Sequence, residues 1–174
     1  MLTTHRLQLR QWRESDLAPF ARLNADPRVM EFFPALMTAR QSDELALVEQ
    51  GRIEARGWGL WAVEERVSSA FVGFVGLAEP RFSADFTPCV EIGWRLAPEF
   101  WGQGLATEAA AACLEFAQHE LRESKVYAFT AAINLRSRAV MERLAMICQG
   151  QFLHPQLPEE HPLAWHWLYS KSFD

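Results

Sequence analysis

A strand-like segment, a proline and a turn with two glycines precede an alanine-rich helix near the middle of the chain. The segment reads VEIGWRL from Val90, and the turn places Gly102 and Gly104 on either side of Gln103, directly before Leu105. Glycine adopts backbone angles that other residues avoid and lets a ligand approach the main chain. The first N–H groups of a helix have no partner within it and carry the positive end of the helix dipole. The pattern favours a phosphate site, although a flexible loop ending in a helix cap fits the same residues.

The order of element types indicates one mixed-sheet α/β domain. Residues 5–12 alternate apolar and polar side chains as a strand does. Two helices follow, the first with Ser15 as its predicted cap and the second with Thr38, where Gln41 completes a capping box. Strands are then predicted at 58–65, 71–77, 90–96, 126–133, 149–154 and 163–173, with helices at 105–121 and 135–146. Because strands and helices do not alternate regularly, we expect a single domain over residues 1–174 rather than a doubly wound fold.

Composition limits the location and the partners. The chain has 174 residues, with 22 acidic against 17 basic side chains and a formal net charge of −5. This balance argues against a nucleic-acid surface and favours cationic substrates. No run approaches the roughly 18 apolar residues of a membrane helix, and the N-terminal MLTTHRLQLR lacks the apolar core of a signal peptide. The three cysteines show no metal-ligand spacing and predict buried, reduced thiols. We therefore expect a cytoplasmic protein without a metal and without a membrane partner.

Two common nucleotide motifs do not fit the glycine turn. A P-loop needs Lys-Ser or Lys-Thr after its last glycine, whereas Leu105 and Ala106 follow here. The dinucleotide fingerprint needs a third glycine three residues after the second, where this chain has Thr107. Residues 97–101 also separate the strand from the turn, which is too long for the tight strand-turn-helix of that motif. A phosphate ligand at this turn therefore belongs to another class.

Two blocks of the sequence resemble the GNAT acyltransferase superfamily. The first is VEIGWRLAPEFWGQGLATEA, and the second is INLRSRAVMERLAM from Ile133 onward. The superfamily's phosphate signature is Gln/Arg-x-x-Gly-x-Gly/Ala; Gly104 and Ala106 match its last two fixed positions, and Trp101 departs at the first. That departure is common in the ribosomal-protein-alanine N-acetyltransferases, the Rim-type branch, which the chain resembles more narrowly. The resemblance covers roughly residues 5 to 173. It implies a GNAT-like domain with a twisted, mixed, mostly antiparallel sheet of six or seven strands flanked by helices.

The resemblance implies acetyl-coenzyme A as the acetyl donor. Its pyrophosphate would lie on the main-chain amides of residues 103–107. Its pantetheine arm would fill a gap between the strand before the turn and the strand after the helix, where Asn134 would contact it through the side-chain amide. A helix N-cap is the ordinary role of such an asparagine, and both roles can coexist. The predicted coenzyme-binding residues are Trp94, Arg95, Leu96, Gly102, Gln103, Gly104, Leu105, Ala106, Thr107 and Asn134.

A carboxylate on the strand before the turn is the candidate base. Acetyl transfer to an amine needs a neutral amine and donors for the oxyanion, and an acid for the leaving sulfur is optional. Glu91 is the carboxylate nearest the expected thioester and would act directly or through water. A solvated carboxylate, or one paired with Arg95, explains the same residue. Main-chain amides near Gly93 and Trp94 would bind the oxyanion, and Gly93 would permit a bulge there.

A serine on the helix after Asn134 is the candidate acid. Many relatives carry a tyrosine at the position of Met141, and methionine cannot donate a proton. The Rim-type branch has a serine three residues after its asparagine, which corresponds to Ser137 and whose hydroxyl would hydrogen-bond the departing sulfur. A cap or a hydrogen bond back along the helix is the structural alternative. Glu91 and Ser137 are therefore the predicted catalytic residues.

Two segments are candidates for covering the acceptor site. They are residues 26–37 and 154–162, and their glutamates Glu31, Glu159 and Glu160 suit an ammonium group, although solvated loops explain the same charges. The leading hypothesis is direct N-acetylation of a protein or peptide N-terminal amine by a monomer or homodimer. The alternatives are acetylation of a small amine, such as a polyamine, amino acid or antibiotic, and a non-catalytic acetyl-coenzyme A binding module.

Overall fold

Residues 1–173, which the computed structural model describes, form eight strands, four α-helices and a short 3-10 helix at Pro98–Phe100. The strands are β1 (Leu2–Thr3), β2 (Leu7–Arg10), β3 (Leu60–Glu65), β4 (Phe71–Ala78), β5 (Glu91–Leu96), β6 (Lys125–Ala131), β7 (Ile147–Leu153) and β8 (Trp165–Ser172). The helices are α1 (Glu14–Asn24), α2 (Ala39–Arg56), α3 (Leu105–His119) and α4 (Leu135–Arg143). The predicted fold class is confirmed. The additional strand is β1, whose two residues are too few to show alternation in a sequence.

The strands form one open sheet in the order β1-β2-β3-β4-β5-β6-β8-β7. Every neighbouring pair is antiparallel except β5 and β6, which run parallel. The crossover between those two strands is α3, as a parallel connection requires. The mixed, mostly antiparallel sheet expected from the resemblance is therefore present.

Alternating side chains give the two faces of the sheet separate cores. On one face, α3 and α4 pack over a large apolar cluster that includes Leu7, Trp61, Val75, Ile92, Leu105, Ala109, Cys113, Val126, Ala128 and Met141. On the opposite face, α1 and α2 pack over Trp12, Phe20, Leu23, Ala46, Ala62 and Phe74. Beyond α1 and α2, the segment 79–90 contributes Phe82 and Phe86 to an aromatic cluster. The other members are Phe129, Phe152, His154 and His166.

The starts of α1 and α2 differ in how well the sequence predicts them. At α2 the predicted capping box is present, because the N–H of Gln41 donates to Thr38 Oγ1 and the Gln41 side chain accepts from the Thr38 N–H. At α1 the prediction is wrong, since Ser15 lies inside the helix. Asp16 provides the acceptor there, with its Oδ2 2.8 Å from the main-chain nitrogen of Arg13.

The strands β5 and β6 separate after a single pairing. Glu91 pairs with Tyr127, and the Tyr127 N–H donates to the Val90 carbonyl at 2.9 Å. No further pairing follows between these strands, whereas β5 remains paired with β4 as far as Leu96. The Val90 carbonyl points toward β6, and the N–H and C=O of successive residues alternate between the two edges of a strand. The main-chain groups of Trp94 therefore face the opening rather than β4.

The local irregularity lies on β4, not at Gly93. Pairing of β5 with β4 is continuous through Gly93, so the bulge that this glycine would permit is not formed. The register shifts instead between β3 and β4 next to Gly73, whose φ is 143°. A Cβ on Gly73 would lie 2.1 Å from the carbonyl oxygen of Arg95, so β4 approaches β5 too closely for a side chain. A Cβ on Gly93 would meet nothing within 4 Å.

The three cysteines differ in burial. Cys113 on α3 is buried, Cys89 before β5 is half-buried, and Cys148 is exposed on the edge strand β7, so the expectation of three buried thiols is wrong for Cys148. Across residues 1–173, no helix combines the length and apolar character that crossing a membrane requires.

Candidate active site

A cavity of about 740 Å³ passes through the opening between β5 and β6. Its part on the α3 side of the sheet, here the α3 lobe, is lined by Trp94, Leu96, Gly104, Thr107, Asn134 and Ser137. Its part on the α1 side, here the α1 lobe, is lined by Phe33, Leu60, Phe74, Glu91, Arg95 and Phe129. The separation of two strands thus connects the two faces of the sheet. Both predicted catalytic residues and nine of the ten predicted coenzyme-binding residues line this cavity, and Gln103 does not.

The glycine turn presents unpaired amides to the α3 lobe. Gly102 and Gly104 have φ values of 73° and 76°, which side-chain-bearing residues rarely adopt, and Gly104 is the N-cap of α3 without a side-chain cap. Among residues 1–173, the N–H groups of Leu105, Ala106 and Thr107 have no hydrogen-bond acceptor. Three amides aimed into a cavity at the positive end of a helix of 15 residues form an arrangement that suits a phosphate group.

The side chain of Gln103 turns away from the cavity. Its Nε2 donates to the Glu99 main-chain carbonyl at 2.9 Å. The main-chain carbonyl of Gln103 accepts from Arg6 Nη1, also at 2.9 Å. The Arg6 guanidinium also pairs with Glu108 in the first turn of α3, at 2.7 Å. Arg6 therefore fixes the glycine turn to the start of β2 and adds a cation beside it.

Two arginines on α4 line the cavity and were not predicted as site residues. Arg136 and Arg143 are seven positions apart and thus on one helix face, which is the signal in the sequence that identifies them. The Arg136 guanidinium stacks 4.4 Å from the centre of the Trp101 ring and pairs with Glu31 at 2.7 Å. Through this pair, the segment 26–37 is held across the cavity from α4.

The edge of β5 at the opening is partly occupied. Trp101 donates its indole N–H to the Leu96 carbonyl at 2.8 Å, which anchors the start of the glycine turn to the end of the strand. Among residues 1–173, no side chain donates to or accepts from the main chain of Trp94. The N–H and C=O of Trp94 are therefore the groups of β5 available to a ligand in the opening.

Asn134 and Ser137 are joined at the start of α4. Asn134 Oδ1 accepts from the Ser137 N–H at 3.2 Å, so the N-cap role is present. Asn134 Nδ2 donates to Thr130 Oγ1 at 2.9 Å. The Ser137 hydroxyl lines the cavity and has no hydrogen-bond partner within residues 1–173. Met141 lines the cavity from the next turn of α4 and is buried. Its side chain is apolar and has no proton to donate.

Glu91 lies in the α1 lobe with an unusual acidity. Burial raises the pKa of its carboxyl from 4.5 to about 7, and the negative charge of Glu49 on α2 adds to the shift. No donor within residues 1–173 hydrogen-bonds the Glu91 carboxylate, and no ion pair joins it to Arg95. The arrangement is that of a carboxylate able to take up a proton near neutral pH.

Arg95 extends in the same lobe toward α1. Its Nη1 donates to Asn24 Oδ1 at 2.7 Å, and its guanidinium lies 4.1 Å from the Phe33 ring centre and 5.2 Å from that of Phe74. Its Nε is buried without a hydrogen-bond partner, and burial lowers its pKa to about 10. The sequence predicted that Arg95, like Trp94, lies along the pantetheine arm. The Arg95 side chain instead lies on the α1 side of the sheet, away from the α3 lobe.

The family follows from a comparison with known domains. The model of the acetyltransferase (GNAT) domain matches residues 6–147, which is most of the chain. The chain belongs to the GNAT family. It is also 32% identical over 146 residues to the uncharacterized protein YkkB of Bacillus subtilis, covering 83% of this chain and 84% of that protein. Membership makes this protein an acetyl-coenzyme A-dependent acetyltransferase.

Solved GNAT structures share the whole architecture. An acetyltransferase from Bacillus anthracis superimposes with a TM-score of 0.81 at 21% identity, covering 98% of this chain and 97% of that one. A ribosomal-protein-alanine acetyltransferase from Vibrio fischeri gives 0.75 at 16% identity, covering 98% and 94%. A spermidine N-acetyltransferase from Vibrio cholerae gives 0.73 at 21% identity, covering 94% of each chain. At these identities the similarity shows the fold alone, and the neighbours act on different amines.

Proposed function

We propose that this protein moves an acetyl group from acetyl-coenzyme A to a primary amine by direct attack inside the cavity. The observation that carries the proposal is the opening between β5 and β6, which connects the unpaired amides at the start of α3 to the Glu91 carboxylate. A donor bound on one side of the sheet and an acceptor bound on the other would meet in this opening.

The α3 lobe would hold the coenzyme. The amides of Leu105, Ala106 and Thr107 would bind the pyrophosphate, with the cations of Arg136 and Arg143 nearby. The pantetheine arm would enter the opening, where one of its amide N–H groups would donate to the Trp94 carbonyl and leave the Trp94 N–H free for the reacting group. Because Asn134 already caps α4, its contact with the arm would use hydrogen-bonding capacity that remains on Oδ1 and Nδ2.

The α1 lobe would supply the base. The amine nitrogen attacks the thioester carbonyl carbon, the carbon–sulfur bond breaks, and the coenzyme leaves as a thiolate. The proton lost by the amine goes to Glu91, directly or through water, and the thiolate takes a proton from solvent through the Ser137 hydroxyl. The Trp94 N–H would stabilise the developing oxyanion. Glu91 suits this role because a base works best when its pKa lies near the working pH.

Two classes of acceptor fit the site. A protein or peptide N-terminal amine is the first candidate, since Trp101 and Ser137 match the Rim-type pattern and such an enzyme is among the structural neighbours. A small amine is the second candidate, since the α1 lobe is walled by aromatic side chains and another neighbour is named for spermidine.

The coenzyme site is tested by a charge change at the glycine turn. Gly104→Asp places a carboxylate at the unpaired amides, whereas Gly104→Asn adds a side chain of the same shape without charge and tolerates the same backbone angles. Titration calorimetry with acetyl-coenzyme A should show at least roughly tenfold weaker binding to the aspartate variant than to the asparagine variant, since one charge-assisted contact is worth that much. Equal affinity of the two variants would remove the pyrophosphate from this turn.

Turnover separates the two acceptor candidates. Release of free thiol is measured with acetyl-coenzyme A and a panel of N-terminal peptides, amino acids, polyamines and aminoglycosides. Faster release with peptides would agree with the first candidate, and a preference for a small amine with the second. Tight coenzyme binding without release for any amine would contradict acetyl transfer to these classes.

A further inference from the structure

A positive charge in the α1 lobe has no counter-ion. Arg95 makes no ion pair with any carboxylate in residues 1–173, and its neighbours are the amide oxygen of Asn24, the thioether of Met37 and the rings of Phe33 and Phe74. Its Nη2 has no hydrogen-bond partner there, and the side chain lines the cavity. A buried guanidinium is costly unless an anion or a set of acceptors satisfies it. The contacts within the protein satisfy it only in part.

The rest of the lobe fixes where an anion would lie relative to the reacting amine. Glu91, Gly93 and Arg95 point to the same face of β5, and the Cα atoms of Glu91 and Arg95 are roughly 13 Å apart, at the spacing of an extended strand. Gly93 lies between them with open space above it. An amine near Gly93 would therefore have the Glu91 carboxylate on one side and the Arg95 guanidinium on the other.

The two charges are separated by apolar surface rather than by polar groups. Phe33 and Phe74 hold the guanidinium plane, and Leu60 and Phe129 line the same lobe. Polyamines and aminoglycosides carry several cations and no anion, so each would bring positive charge toward Arg95. An acceptor with a single amine, an apolar body and a negative group would match this surface and both of its charges.

The geometry points to an acceptor that carries an anionic group, bound by Arg95, a few bonds from the amine that is acetylated. This inference rests on the proposed acetyl transfer and adds the substrate class. A carboxylate is the anion that fits a planar guanidinium with free N–H groups. It has two sources: the carboxylate of a free amino acid, or an acidic side chain near a peptide N-terminus.

The first test compares acceptors that differ only in the anion. L-phenylalanine and L-phenylalaninamide have the same apolar body, and the amide has the less basic amine, so more of it is neutral and reactive at a given pH. The wild-type protein should nevertheless show a higher kcat/KM for the acid, by roughly tenfold or more, the factor for a hydrogen bond to a charged group. Hexapeptides that begin with aspartate or with asparagine form the second pair and identify the peptide source.

The second test removes the cation. Arg95→Gln should lower each acid-to-amide ratio of kcat/KM to one or below without changing acetyl-coenzyme A affinity, and Arg95→Lys should restore part of the ratio. Arg40→Gln is the matched control, since Arg40 is exposed on α2 and pairs only with Glu44. If Arg95 is purely structural, its variants lower all rates in parallel and leave the ratios as in the wild type.

A binding measurement separates this inference from the proposed reaction. Hydrocinnamate has the carboxylate and ring but no amine, and calorimetry with the coenzyme A complex should show binding to the wild type and the Arg40→Gln variant, lost in Arg95→Gln. Binding without turnover of any amine would contradict the proposed function and keep the anion site. Turnover of neutral amines as fast as of acids, with no hydrocinnamate binding, would overturn the anion site and keep the acetyltransferase reaction.

Discussion

At the scale of single residues, Glu91 connects burial to a pH dependence. Its pKa of about 7 means that the carboxylate, which is the form that accepts a proton, is present above that pH and is lost as the pH falls through it. In the wild type, kcat/KM should therefore rise through about pH 7. Glu91→Gln should lower kcat/KM on the order of 100-fold at pH 8, the contribution typical of a general base, and by progressively less below pH 7.

Thiol release between pH 6 and pH 9, with one acceptor throughout, measures this dependence. The acceptor's own ionisation gives a rising limb in both proteins, so the quantity of interest is the ratio of wild type to variant at each pH. Glu115→Gln is the control, because Glu115 is exposed on α3, away from the cavity. A ratio that stays constant over this range would remove Glu91 as the base.

Residue-level prediction succeeds here where the information is local. Strand alternation places Glu91, Gly93 and Arg95 on one face, and the glycine motif places unpaired amides at the start of α3. The partners of Arg95 are not local, since Asn24 and Met37 come from segments far away in the chain. A motif assigns a residue to a site, but it does not give the direction of a side chain whose neighbours are set by tertiary packing.

At the scale of elements, a buried ion pair joins β2 to α1. Two nitrogens of Arg10 contact the Asp16 carboxylate at 2.7 and 2.9 Å, and the two side chains are only 5% and 2% exposed. Asp16→Asn leaves an acceptor for the Arg13 N–H and removes one of the two carboxylates that pair with Arg10, whose Nε still contacts Glu64 at 2.8 Å. We expect a loss of about 2 kcal/mol in the free energy of unfolding, the scale of hydrogen bonds to a charged group.

Urea unfolding at neutral pH measures the loss, provided that the slope of the transition is unchanged. Glu44→Gln is the control, because it breaks the exposed pair of α2 with Arg40 and should cost no more than about 0.5 kcal/mol. Equal effects of the two substitutions would show that the buried pair gives no special support. The wrong assignment of Ser15 as the cap has the same origin, since Arg10 holds Asp16 in the capping position.

At the scale of the whole molecule, His166 links the aromatic cluster to acid stability. Burial lowers the pKa of His166 from 6.5 to about 4, with a further contribution from the neighbouring His154. Below pH 6.5 the unfolded chain binds a proton that the folded protein excludes, so stability falls as the pH drops from 6.5 toward 4. The loss in the free energy of unfolding from this group is on the order of 2 kcal/mol. It is smaller than the full pKa shift of His166 would give, because the imidazole ring keeps some contact with solvent.

His166→Gln removes the titrating group and should flatten that part of the stability profile. Urea unfolding at several pH values between 4 and 7 gives the comparison, with His119→Gln as the control, since His119 is exposed at the end of α3. A variant whose stability falls as steeply as that of the wild type would place the acid sensitivity elsewhere.

The overall topology was predictable in part. Periodicity gives most elements and the mixed class, because each is a property of a short segment. Pairing of distant strands is not such a property, and the separation of β5 from β6 was expected only through the resemblance. The aromatic cluster was missed for the same reason: its members come from segment 79–90 and from three strands that meet only in the folded sheet.

The separation of β5 from β6 also divides the sheet into two groups of strands. One group runs from β1 to β5 and the other contains β6, β8 and β7, and the pairing of Glu91 with Tyr127 joins them. Few main-chain hydrogen bonds join these two parts, and the apolar core that both share beneath α3 supplies most of the contact between them. A ligand that formed hydrogen bonds with the edges of both β5 and β6 would connect the two groups of strands. Hydrogen exchange of the Trp94 amide would then become slower.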